Sequence, residues 1–275
     1  MALKNKVALV LGAIKGIGKG IGLALARKGI NVALTYYDWE ERLAELQQDF
    51  TDTGTPHLIL RTNLLEPDQI RARIKKVHDH FGRLDILVNN IERGGWPVVH
   101  GSYVQKQWDL ELETTLRSKW WVFNAALPHL KASGDGVVIN ISSIAGLVGR
   151  SGPASPIFND GYAAANRGIS LLTETWARSG APQVRVNEIM LGFFETRHAQ
   201  NTRGWDLLSK DQKQSLIDHT LLGRTGRIDD VVKSVLYIIK DAPFMTGSVI
   251  RLDGGYTLGG ENIAPMPEGI IEDNG

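Results

Sequence analysis

The sequence predicts an α/β fold built from parallel strand–helix–strand units in one domain. Short apolar, β-branched runs alternate with longer segments of helical periodicity along most of the chain. The runs are continuous rather than alternating, which marks strands buried on both faces. No linker-like shift of composition and no internal repeat interrupts the 275 residues, so residues 1–262 count as a single domain.

The elements follow in order. Residues 6–11 (Lys-Val-Ala-Leu-Val-Leu) form the first strand, and residues 16–29 a helix with Ile17, Ile21 and Leu25 on one stripe and Gly29 as its stop. Residues 31–36 read as a strand, 39–50 as a helix and 58–62 as a strand. Pro67 opens a helix over 67–81 whose buried stripe is Ile70, Ile74, Val77 and Phe81, with Gly82 ending it. A strand at 84–89, a long helix over 103–130, a strand at 136–143, a helix over 161–178 and a strand at 184–190 continue the alternation. A helix at 227–239 and a strand at 248–252 complete it. Two segments break the pattern: residues 150–160 are a loop by their Gly and Pro content, and residues 193–222 are a long, lid-like connection carrying short helices. Residues 263–275 are a tail without an assigned element.

Composition removes whole classes of function. The net charge is +1 with Lys and Arg scattered, so there is no basic footprint for nucleic acid or an anionic membrane surface. The absence of cysteine excludes disulfides, thiolate metal sites and cysteine nucleophiles. His100, His129, His198 and His219 lack metal-ligand spacing. The first eleven residues are too short for a membrane span and lack a small-residue cleavage site, so a cytoplasmic location is expected.

The chemistry-bearing signal is Gly12-Ala-Ile-Lys-Gly16-Ile-Gly18, placed between a buried strand and a helix. Glycine permits a tight turn and close backbone approach, while the helix N-terminus presents N–H groups and a positive dipole to a diphosphate. The spacing resembles the T-G-x-x-x-G-x-G of the short-chain dehydrogenase/reductase family, and the likeness extends over residues 4–258. Asn89-Asn90, Asn140-Ile-Ser-Ser143, Arg185-Val-Asn187, Gly192, Thr196, Leu222-Gly-Arg224 and Asp253-Gly-Gly255 match further family motifs in order. The resemblance implies a Rossmann-like, doubly wound parallel sheet of about seven strands, with a nicotinamide dinucleotide across the strands' carboxyl ends.

By the same resemblance, cofactor contacts fall on Gly12, Lys15, Gly16, Ile17, Gly18, Tyr36, Asn63, Leu64, Asn89, Asn90, Gly192, Phe194 and Thr196. The second strand ends in Thr35-Tyr36-Tyr37, with Asp38 late for a ribose-binding acid, and Lys15 faces a 2′-phosphate. NADP(H) is therefore expected ahead of NAD(H). The family's catalytic set is Asn, Ser, Tyr and Lys. Ser143 and Tyr162 match, whereas Thr115 stands for the asparagine and Asn166 for the lysine. Leu11 replaces the threonine of the glycine motif, Asn63 an adenine-binding aspartate, Ile91-Glu92 an Ala-Gly pair, and Leu191 a proline.

The missing lysine has a direct physical reading. A tyrosine of ordinary pKa, about 10, is ionised to about one part in a thousand at pH 7, and each unit of depression needs roughly 1.4 kcal/mol. Alcohol oxidation needs tyrosinate as its base, while carbonyl reduction uses the neutral phenol as its acid, so reduction suffers less. Arg167 stands one step, about 100°, round the helix from Tyr162. By the same resemblance Glu92 and Arg93 fall near the cofactor; the alternative is a surface ion pair. Trp205 and His198 lie in the lid-like segment, and Trp120 and Trp121 fit the core or a subunit contact.

The expected activity is NAD(P)-dependent reduction of a small-molecule carbonyl substrate, of ketone or oxoacyl type, with Tyr162 as proton donor, Ser143 as hydrogen-bond donor and Asn166 at the lysine's position. The alternatives are a dinucleotide-binding subunit without efficient hydride transfer, and a repurposed pocket performing dehydration or cyclisation. The resemblance also implies a homotetramer or homodimer built on the helices at 103–130 and 161–178.

Overall fold

The computed structural model describes residues 3–91, 105–194, 196 and 208–259. Seven parallel strands form one sheet in the order β3-β2-β1-β4-β5-β6-β7. They are β1 (Val7–Val10), β2 (Asn31–Tyr36), β3 (His57–Arg61), β4 (Ile86–Asn89), β5 (Gly136–Ser143), β6 (Val184–Leu191) and β7 (Val249–Leu252). The order reverses direction between β1 and β4, which opens a crevice at the carboxyl edge there.

The helices are α1 (Gly16–Arg27), α2 (Leu43–Thr51), α3 (Pro67–Phe81), α4 (Gln105–Glu111), α5 (Ser118–Ala132), α6 (Ala145–Val148), α7 (Asp160–Gly180), α8 (Lys210–His219) and α9 (Ile228–Lys240). One face of the sheet packs on α1, α2 and α9 through Ile21, Leu25, Phe50, Val235 and Ile239. The other packs on α3, α5 and α7 through Ile74, Val77, Phe123, Leu130 and Trp176, with Phe123 and Trp176 stacked at 4.4 Å between centroids. Both faces being covered explains the unbroken apolar strands.

Several elements depart from the sequence expectation. The long helix at 103–130 is interrupted: Leu112–Arg117 is π-helical between α4 and α5. Such a bulge is not encoded by apolar periodicity, which it shifts by only one residue. Residues 150–160 carry a 3₁₀ turn, Gly152–Ala154, and Ala154, Ile157 and Phe158 are buried. Within the connection at 193–222, α8 agrees with the short helices expected there, its start fixed by a reciprocal cap between Ser209 and Gln212. Residues 103, 104 and 263–275 lie outside the described residues.

The β6 motif residues serve the fold itself. Arg185 donates to the Ile238 (3.1 Å) and Ala242 (2.9 Å) carbonyls at the end of α9. Asn187 is wholly buried, donates to the Met245 carbonyl at 2.9 Å and accepts the Ser248 N–H at 3.1 Å, tying β6 to the approach to β7. Asn187→Ala leaves both backbone groups without their partner, so a loss of about 2–4 kcal/mol is expected in denaturant unfolding. A loss below about 0.5 kcal/mol would contradict this role.

Candidate active site

The glycine turn is strung between two strands. Leu11 N–H donates to the Val88 carbonyl (3.0 Å), Gly12 N–H to the Thr35 hydroxyl (3.3 Å), and Ala13 N–H to the Thr35 carbonyl (2.8 Å). Gly12 has φ +64°, and a Cβ there would lie 2.5 Å from the Asn90 carbonyl oxygen. A Cβ on Gly18 would strike the Gly12 carbonyl, while the Asn90 amide donates to that same oxygen at 3.2 Å. Glycine is thus required by chain-on-chain contact before any ligand is considered. No side chain caps α1 and no acid stands in its first turn. The residues present, Lys15, Gly16, Ile17 and Gly18, fit a diphosphate at this helix end.

Other expected contacts surround the turn to different degrees. The Lys15 ammonium sits 3.1 Å from the centroid of the Trp39 ring, and Trp39 holds a left-handed φ of +67° just beyond Tyr36 at the end of β2. Asn63 accepts the Leu65 N–H at 3.1 Å and so closes its own turn, with Leu64 buried beside it. Gly192 donates to the Leu252 carbonyl, Phe194 packs against Gly226, and Thr196 lies beside Gly16. Asn89 is wholly buried, its amide donating to Asn140 at 2.8 Å, so its side chain belongs to the interior beneath the crevice.

The structure brings Ser143, Tyr162 and Asn166 together. Asn159 caps α7 by accepting the Tyr162 N–H (2.8 Å), and Glu111 on α4 accepts from the Asn159 amide (2.7 Å). Asn166 donates to the Tyr162 carbonyl (3.0 Å) and accepts the Ser143 N–H (3.0 Å). The carboxamide at the position expected for lysine therefore fastens α7 to the end of β5. The Ser143 hydroxyl accepts the Ala145 N–H at 3.2 Å. Arg167 is exposed, on a different side of α7 from the buried Tyr162.

A polar layer is buried under these residues. Asn140 donates to Thr173 at 2.8 Å, and Ser142 and Ser170 both donate to Glu188 Oε1. Lys119 is wholly buried with its ammonium 2.7 Å from the Ile141 carbonyl. Thr115 lies in the π-helical stretch, and its buried hydroxyl has no hydrogen-bond partner among the described residues. Burial pushes the Glu188 carboxyl above its ordinary range, opposed by the two serines, Lys119 and Arg167. Sequence reasoning missed Lys119, Glu188, Glu111 and Asn159. A visible signal existed for Glu188, a charge inside the apolar run of β6.

Tyr162 also belongs to an aromatic cluster beyond the sheet edge. Phe158 lies 6.0 Å from Tyr162 and stacks on Phe193 at 5.6 Å, while Tyr256 meets Phe193 at 5.0 Å. Ala154, Ile157, Leu208 and Leu216 complete it, so the 150–160 segment and α8 share one apolar floor with the tyrosine. Burial pushes the Tyr256 phenol up to about 12. Among the described residues no cluster of His, Cys, Asp or Glu could hold a metal ion. Glu92, Arg93, His100, His198 and Trp205 lie outside the described residues.

Comparison with known proteins agrees with this fold. The family described as enoyl-(acyl carrier protein) reductase matches residues 12–257. The 3-oxoacyl-[acyl-carrier-protein] reductase of Staphylococcus aureus (strain Mu50) is 32% identical over 91% of this chain and 98% of its own. The 3-oxoacyl-[acyl-carrier-protein] reductase of Thermotoga maritima is 29% identical over 94% of this chain and 100% of its own. A Sinorhizobium meliloti 1021 protein crystallised as a short-chain alcohol dehydrogenase superposes with a TM-score of 0.81 at 26% identity, covering 94% of this chain and 100% of the other.

Glu188 makes stability depend on pH with a defined sign. A carboxyl whose pKa is raised on folding favours the folded state below its ordinary value near 4.5, and that contribution is lost as pH rises through the folded value. Glu188→Gln fixes the neutral form. Its melting temperature relative to wild type is expected to be more favourable near pH 8 than near pH 4. An equal difference at both pH values would show that burial does not raise this carboxyl.

Proposed function

Because the chain belongs to the short-chain dehydrogenase/reductase family, we propose that this oxidoreductase uses NADPH to reduce a small-molecule carbonyl of ketone or oxoacyl type. The observation that carries the reading is the fastening of Ser143 and Tyr162 to one another through Asn166, at the carboxyl edge beside a diphosphate-compatible glycine turn. Similarity to the 3-oxoacyl-[acyl-carrier-protein] reductases of Staphylococcus and Thermotoga supports an oxoacyl substrate.

When bound, the reduced nicotinamide supplies hydride. Gly12, Gly16, Ile17 and Gly18 would hold its diphosphate end and Lys15 its 2′-phosphate, with Tyr36, Asn63, Leu64, Asn90, Gly192, Phe194 and Thr196 along the cleft and Asn89 beneath. Ser143 donates a hydrogen bond to the carbonyl oxygen, and Tyr162 gives that oxygen its proton. Both act in their neutral forms, which is why a neutral carboxamide at 166 is compatible with reduction. The aromatic floor of Phe158 and Phe193 excludes water from the reacting side. Asn166 positions the tyrosine from its backbone.

Assembly is read as a homodimer or homotetramer through the outer faces of α4, α5 and α7, where Trp120 is 46% and Leu171 66% exposed. A cytoplasmic location accords with this reading. No helix among the described residues is long and apolar enough to cross a membrane. A second reading, a dinucleotide-binding subunit with inefficient or different chemistry, is favoured by one observation: the carboxamide at 166 brings no charge to Tyr162.

Two measurements separate these. Fluorescence titration is expected to give tighter binding of NADPH than NADH, with Lys15→Ala weakening NADPH about tenfold and NADH little; no binding of either dinucleotide sinks both readings. In turnover of a carbonyl panel including oxoacyl thioesters, Tyr162→Phe is expected to lower kcat about 100-fold or more while leaving NADPH affinity intact. Tight binding without turnover of any carbonyl would instead identify the second reading.

A further inference from the structure

α4 lies largely at the surface yet buries a carboxyl at its end. Gln105, Lys106, Trp108 and Asp109 are exposed and Leu110 is half-buried, whereas Glu111 is only 1% exposed. A carboxyl is almost never taken so far from water unless polar partners hold it, and an apolar side chain would fill the place at less cost. Glu111 Oε1 accepts from the Asn159 amide at 2.7 Å, and Asn159 Oδ1 accepts the Tyr162 N–H at 2.8 Å. Asn159 is itself buried, so the link from α4 through the cap to the first turn of α7 is shielded from water.

The chemistry of the two groups gives this link a direction. A side-chain amide can turn its oxygen or its nitrogen toward a helix start, and only the oxygen can accept the Tyr162 N–H. A carboxylate has acceptors and no donor, so it takes the Asn159 nitrogen and leaves the oxygen for α7. The positive end of the α7 dipole also favours a negative group beside it. Tyr162 stands three residues after the cap, and Phe158, whose ring lies 6.0 Å from that of Tyr162, stands one residue before it. Fixing the cap therefore fixes the tyrosine and the ring next to it.

We propose that Glu111 is a positioning residue for Tyr162: acting through Asn159, it seats the first turn of α7 against α4 and so sets where the phenol stands for proton transfer. Its action runs through the cap rather than through contact with the reacting atoms. The effect on turnover rests on the reductase reading, but the placement of the phenol does not.

The test labels the full chain with 3-fluorotyrosine and follows Tyr162 by fluorine magnetic resonance, as the one of six signals that Tyr162→Phe removes. Asn159→Asp keeps an acceptor for the Tyr162 N–H but loses the donor to Glu111 and sets two carboxylates against each other. It is expected to displace or split the Tyr162 signal, as is Glu111→Ala, with the other signals in place. Glu111→Gln still offers an oxygen to Asn159 and keeps the wild-type signal. The double variant Glu111→Gln/Asn159→Asp rejoins the pair with donor and acceptor exchanged, and its signal returns toward wild type. In carbonyl turnover, kcat falls about tenfold or more in the two disrupting variants while dinucleotide affinity holds, and it recovers in the double variant. An unmoved Tyr162 signal in Asn159→Asp overturns the proposal, as does a double variant no better than Asn159→Asp alone. A displaced signal with unchanged kcat makes the link structural only and also overturns it. Should Glu111→Ala fail to fold, Asn159→Asp and the double variant decide. The expected signals in a protein that reduces no carbonyl overturn the reductase reading and uphold the placement of the phenol by Glu111.

Discussion

Unequal strand ends govern this molecule. β5 outruns β4 by several residues, which leaves main-chain donors and acceptors at the crevice with no strand to satisfy them. Buried backbone groups without partners cost about 1–3 kcal/mol each, so side chains must complete the ladder. Asn166 and Lys119 do so on the β4 side, and Asn90 does so for the glycine turn opposite. Because the satisfying groups come from α7, α5 and the residue that follows β4, closing the ladder also fixes the helices. Tyr162 is held as a by-product, between the cap from Asn159 and the bond from Asn166.

The layer beneath is the cost of this arrangement. An ammonium, a carboxyl and several amides and hydroxyls are buried between the sheet and α5 and α7, and each needs geometry that apolar packing would not demand. Glu188 shows the tension: two serines bond one of its oxygens, and the other has no partner among the described residues. A stretch this polar is tolerated because the surrounding sheet and the stacked Phe123 and Trp176 are rigid and apolar.

The alternation of strands and helices was legible from the sequence because a sheet covered on both faces must be apolar without interruption. The helix over 67–81 could be read to the residue, from its proline start, its stripe and its glycine stop. The glycine turn, Ser143 and Tyr162 were legible as motif positions, whereas Lys119 was not. Its meaning depends on where β4 stops relative to β5, a register that no local pattern encodes. The burial of Ala154, Ile157 and Phe158 was hidden for the same reason, since it is set by partners distant in the chain.

The ladder geometry also constrains how this active site can change by descent. A lysine restored at 166 would bring a second ammonium against the one at 119, in a place where like charges repel strongly and little water reaches. Loss of Lys119 alone would strand the Ile141 carbonyl and leave Glu188 facing less positive charge. Neither single step is easy, so positions 119, 166 and 188 should be inherited as a set. A lineage that acquired this arrangement would be held in it long after the circumstances that favoured it had passed.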